Sequence, residues 1–149
     1  MRATTTAADT PPRAQPPRCV PIPRVLIEHR DSSLRLSRAR HLSEAGLEVA
    51  TCGGPQVLAR RGCPLLETGN CSLAAAADVI YTALRWRDRR CLVVLHELRS
   101  RYPDTALIVE TDIADAHLVE DQVTACTVLT APVGTARMLT AIDAALRQR

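Results

Sequence analysis

CSLAAAADVIYTAL (residues 71–84) runs from an alanine-rich segment into a short β-rich apolar run, Ala77-Asp78-Val79-Ile80-Tyr81-Thr82-Ala83, and stops at the arginine-rich RWRDRR. A strand apolar on both sides belongs inside a parallel sheet with helices covering each face. Four further strand candidates lie around it: residues 24–29 (RVLIEH), 47–52 (LEVATC), 106–111 (ALIVET) and 125–130 (ACTVLT). Helical patterns fall between them. Residues 34–45 place Leu34, Ala39, Leu42 and Ala45 on one face, with Arg35, Arg38 and Arg40 largely outside it. Asp31-Ser32-Ser33 supplies N-cap chemistry before that helix, and Gly46 is a C-terminal stop. Residues 91–101 and 135–146 repeat the pattern, with Leu92, Leu95, His96 and Leu98 inward in one and Met138, Leu139, Ile142 and Leu146 inward in the other. His96 reads as a structural histidine, His41 and His117 as surface ones. An acidic segment capped by Asp112 or Asp115 is expected to be helical to about Val123. Five strands alternating with helices imply one α/β domain over residues 24–149: a five-stranded parallel sheet, helices on both faces, right-handed crossovers.

The region between the second and third strands breaks the pattern. Gly53-Gly54-Pro55 interrupts the chain, and Gly62, Pro64 and Gly69 argue against a regular element. A short helix is conceivable only over residues 56–61, and Ser72 could open another up to Ala77. The second helix of the domain is therefore expected to be shortened, or replaced by a loop that contains cysteines.

Composition sets the bounds. A chain of 149 residues with 46% apolar content can bury one core without staples. One Trp, two Tyr and no Phe leave that core to aliphatic residues. All 19 basic residues are arginine, a compositional bias rather than a site, and the net charge of +3 is interspersed with acids, which does not mark a nucleic-acid binder. No apolar run suits a signal peptide or a membrane span, so a cytoplasmic location is expected. Residues 1–23 hold six of the ten prolines and no periodic face, and are expected to form a disordered tail that includes Cys19. Six cysteines in an unsignalled chain of this length point to thiols or metal ligands, not disulfides.

The order of elements, the segments YPDTALIVETD and TVLTAP, and the Asp-Ser-Ser entry after the first strand resemble the receiver domain of two-component response regulators, a flavodoxin-like fold. That resemblance implies a phosphoryl-accepting pocket at the carboxyl ends of the strands. It places the acidic pair that holds Mg²⁺ at His29 and Arg30, or one residue away at the flanking Glu28 and Asp31, the phosphoacceptor at Ala83, the hydroxyl at Thr111, and the lysine and its proline at Ala131 and Pro132. Phosphoryl transfer depends on neutralising an anionic group in flight. Without the aspartate, the acidic pair and the lysine, the resemblance implies the fold and a regulatory role without phosphorylation: a stand-alone pseudo-receiver, not an enzyme, whose partner is a protein rather than nucleic acid or a membrane.

Two other readings remain open. Cys52, Cys63 and Cys71 cluster where the helical pattern fails, and in the flavodoxin-like strand order that the resemblance implies, His29 ends the strand next to the one that Cys52 ends. A Cys₃His set would suit zinc or an iron–sulfur cluster in a metal or redox sensor, and Cys71 before a helix would gain thiolate character. Against this stand the missing CxxC and the shortness of the chain from Cys71 back to the third strand, which sets Cys71 low in the fold. The bland alternative, free buried thiols and no cofactor, also applies to Cys91 and Cys126. A third reading is an anion or nucleotide site on Arg85, Trp86, Arg87, Arg89 and Arg90, with Arg30 beside it; Trp86 would stack a base or anchor a partner, or the loop would simply be solvated. A nucleophile–base pair of Cys52 and His29 lacks a third orienting group. No P-loop, GxSxG, HExxH or GxGxxG is present.

Overall fold

The computed structural model describes residues 21–57 and 62–149. The expected disordered tail, with Cys19, lies almost wholly outside the described residues. So does most of the short helix expected over 56–61, of which residues 56 and 57 lie in a turn.

The elements run β1 (Arg24–His29), α1 (Ser32–Glu44), β2 (Glu48–Cys52), α2 (Pro64–Thr68), α3 (Ser72–Ala75), β3 (Val79–Ala83), α4 (Arg89–Arg101), β4 (Ala106–Thr111), α5 (Ala116–Glu120), β5 (Thr127–Thr130) and α6 (Thr135–Arg147). All five strands are parallel, in the order β2-β1-β3-β4-β5. β3 is central and every one of its residues is buried. That is why its sequence shows no alternation: each side chain meets a helix layer whichever way it points.

Alternate residues serve two cores. On one side Leu26, Ile80, Leu107 and Val109 pack against Leu65 of α2, Ala74 of α3, Cys91, Val94, Leu95 and Leu98 of α4, and Val119 of α5. On the other Val25, Ile27, Val79, Tyr81, Ile108 and Leu129 pack against Leu42 of α1 and Met138, Ile142 and Ala145 of α6. The spacing of the α6 residues is one helical face.

The helices start and stop on local chemistry. Asp31 caps α1 by accepting the Leu34 amide at 2.9 Å. Asp88 caps α4 by accepting the Arg90 amide at 2.9 Å, which draws Arg89 and Arg90 out of the expected loop and into the first helical turn. Proline and glycine between β2 and β3, expected to exclude a regular element, instead frame one. Pro64 occupies the first turn of α2, where no intrahelical amide is needed, and Gly69 ends it in the left-handed region (φ 73°). α5 stops at Glu120, short of the expected Val123, and Asp115 precedes it without a side-chain cap. His96 is exposed, on the outer face of α4, not inward as expected.

Candidate functional site

The carboxyl ends of β1, β3, β4 and β5 open into a cleft of about 710 Å³. His29, Arg30 and Asp31 line it from β1, Ala83, Leu84 and Arg85 from β3, Thr111 and Asp112 from β4, and Ala131 and Pro132 beyond β5. The strand register sets His29 opposite Ala83. The Thr111 hydroxyl donates to the Asp112 carbonyl at 3.2 Å, and the Ala131–Pro132 peptide is cis. His29 Nδ1 accepts the Asp31 amide at 3.0 Å, which leaves the ring proton on Nε2. Burial, reinforced by the Arg38 charge, pushes the imidazole pKa down, so the ring is neutral at neutral pH. Arg87 reaches across to Asp115 at 2.8 Å.

Many solved structures match this chain. A receiver domain protein from Clostridium thermocellum superposes with a TM-score of 0.63 at 21% identity, over 85% of this chain and 96% of that one. A CheY-like receiver domain protein from Methanospirillum hungatei JF-1 does so with a TM-score of 0.64 at 16% identity, over 86% and 96%. The fold is that of a response-regulator receiver domain. A structure described as an adenylate cyclase from Rhodopirellula baltica also matches, with a TM-score of 0.61 at 26% identity, over 85% and 89%. No protein-family model and no curated protein matches the sequence.

The receiver positions read from the sequence converge. His29, Arg30, Ala83, Thr111, Ala131 and Pro132 all line the one cleft. At the β3 end stands the Ala83 methyl group, with Thr82 and Leu84 buried on either side of it. None of His29, Arg30 and Ala83, the three positions where the sequence resemblance places an acid, carries a negative charge.

The arginine-rich segment does not act as one surface. Arg85 and Arg87 reach the cleft, whereas Arg90 turns back onto Asp88 at 3.0 Å. Asp88 also accepts from Gln56 at 2.8 Å, and the side-chain hydrogen bonds from Arg90 and Gln56 hold its carboxyl well below the usual range. Trp86, expected to stack a base or anchor a partner, lines the inner wall of the cleft. It is buried, and its Nε1–H donates to the Glu110 carbonyl at 2.9 Å.

The proposed Cys₃His set is not assembled. The register pairs Cys52 with Glu28, not with His29. Successive strand residues face opposite sides, so Cys52 joins the core under α2 to α4 while His29 follows Val25 and Ile27 towards the α1 side. Cys71 is held low in the fold: its amide donates to the Tyr102 hydroxyl at 2.9 Å, and Tyr102 follows the end of α4. α3, which Cys71 precedes, has only four residues. Among the described residues no three His, Cys, Asp or Glu side chains gather closely enough for a metal ion. Burial, with the Glu28 charge adding to it, pushes the Cys52 thiol up to about 11, the opposite of a reactive thiolate.

Two features escaped the sequence reading. Arg38, expected outside, is buried against Glu110: Nη1 to Oε2 at 2.6 Å and Nη2 to Oε1 at 3.2 Å. The Tyr81 hydroxyl donates to the same Oε2 at 2.7 Å, and the Val133 amide to Oε1 at 3.4 Å. Burial raises the Glu110 pKa, but these donors more than offset it and the net shift is downward. The second feature is Glu28, buried on the opposite face of the sheet. Neither Glu28 Oε2 nor Thr82 Oγ1, its register partner, has a hydrogen-bond partner. Burial pushes the Glu28 carboxyl up to about 7, an effect the neighbouring Thr82 hydroxyl opposes without removing. A hydrophobic pattern with one acid per strand end does not distinguish such groups from surface ones; a charged residue inside an otherwise apolar strand was the only signal.

Proposed function

We propose that this chain is a pseudo-receiver: a non-enzymatic, cytoplasmic regulatory module that uses the receiver fold to contact a protein partner and does not accept a phosphoryl group. The observation that carries this reading is Ala83 at the end of β3, opposite His29 in register. A methyl group cannot form an acyl phosphate. The cation-holding chemistry is gone with it, because His29 and Arg30 cannot replace two carboxylates towards Mg²⁺. Ala131 brings no lysine to the third side. Among the described residues no helix is long and apolar enough to cross a bilayer.

Acetyl phosphate with Mg²⁺ provides the test. Intact-mass spectrometry should find no phosphoryl adduct, and Ala83→Asp alone should not create a stable one while Arg30 remains. An aspartyl or glutamyl phosphate on the parent chain would overturn the proposal.

A further inference from the structure

The face formed by the carboxyl ends of the strands carries opposite chemistry on its two sides. β3 ends at its centre, with β1 on one side and β4 on the other. Arg30 follows β1, with Leu34 close behind it in the first turn of α1; Asp112 and Ile113 follow β4. All four side chains are exposed. Ile113 stands between two residues of the cleft lining and is 83% exposed, more than any other large apolar side chain among the described residues. Arg30 and Asp112 enter no ion pair among the described residues. Arg85 and Asp31, again of opposite sign, line the adjoining depression together. Between the two sides the floor is uncharged at Ala83 and the neutral His29 ring, and the buried Glu110 is answered by Arg38.

We propose that two copies of this chain associate through this face about a twofold axis, with Arg30 of each against Asp112 of the other and Leu34 of each against Ile113 of the other. This rests on the pseudo-receiver reading and names a second copy as its protein partner. The strand order supplies the match. A twofold axis through the end of β3 carries the β1 end of one copy onto the β4 end of the other. Each contact is then made twice, as the self-complementarity of an isologous interface requires. A face of one sign would repel its own copy, whereas this one sets a cation against an anion on both sides of the axis. At the axis itself the uncharged floor gives the second copy nothing to oppose. Exclusion of water from Leu34 and Ile113 drives the association, and the ion pairs fix its register. So few anchoring side chains make a weak, reversible dimer that dissociates on the order of 100 µM.

Sedimentation velocity of the full chain from about 10 µM to about 1 mM brackets that range. The parent should pass from one chain to two, less readily at high salt, which screens exposed ion pairs. Arg30→Asp alone and Asp112→Arg alone should each lose at least about tenfold in affinity, because each sets like charges together twice. An equimolar mixture of these two variants should recover the dimer, since both cross-contacts then join opposite signs. Ile113→Ser should weaken association, while Arg40→Asp, on the exposed side of α1, should associate as the parent does. Matched thermal melts establish that the variants fold. A parent that stays monomeric at about 1 mM, or a dimer unmoved by either charge reversal, overturns the proposal. Variants that dissociate alone and do not recover on mixing overturn the twofold arrangement, and an undiminished Ile113→Ser dimer overturns the apolar contact. A covalent adduct with acetyl phosphate would overturn the pseudo-receiver reading itself; a monomer with no adduct would overturn only the choice of partner.

Discussion

Glu28 is an acid in a place built for an aliphatic residue. It sits one strand from Cys52 and one from Thr82, on the face that packs under α2 to α4. Its folded-state pKa, about 7, lies above that of the unfolded chain. The folded form therefore holds the proton more tightly. Its stabilising contribution is complete below the unfolded value, declines as pH rises between the two, and is gone above pH 7, a loss on the order of 3 kcal/mol. Glu28→Gln should flatten that slope and be more stable than the parent at pH 8, as urea denaturation at pH 5 and pH 8 would read. A parent with equal stability at both values would contradict this. Arg38 presents the converse case. Arg38→Met leaves Glu110 charged, buried and without its cation, at a cost of about 3–5 kcal/mol. Adding Glu110→Gln removes the stranded charge and should recover most of the loss in the same denaturation assay.

At the scale of elements, the caps carry much of the definition. Asp88→Ala removes the side-chain acceptor at the start of α4 and the link to Gln56, and should lower stability by about 1 kcal/mol in chemical denaturation. The same scale shows what was legible in the sequence. β1 and β4 were readable to the residue because a strand that is buried on both faces has sharp polar borders, and α6 was readable from Met138 and Ile142. The α2 segment was not. Pro64 and Gly69 are breakers inside a helix but ordinary punctuation at its ends, and five residues carry no periodicity to separate the two cases. Arg38 was misplaced because a helical wheel sorts charge outward, and its partner Glu110 is 72 residues away. Gly54 illustrates a constraint between these levels: at φ 78° a side chain would be strained, and an added Cβ would press into Leu84. The broken sequence after β2 thus lets the backbone close over the end of the sheet.

For the whole molecule, the sheet order alone brings the six receiver positions into one cleft, so alignment by element order sufficed to gather them although none retains an acid. The cysteines failed the same test. Proximity along the chain suggested a cluster, while strand parity turned His29 and Cys52 to opposite sides, and parity is set by pairing with β1 that only the folded sheet reveals. Glu110 has a mechanical meaning at this scale. Its carboxylate grips α1 through Arg38, β3 through Tyr81 and the turn before α6 through Val133, while its carbonyl holds Trp86 from the turn before α4. Three walls around the cleft hang from one peg. None can swing away from the cleft without breaking a hydrogen bond to Glu110.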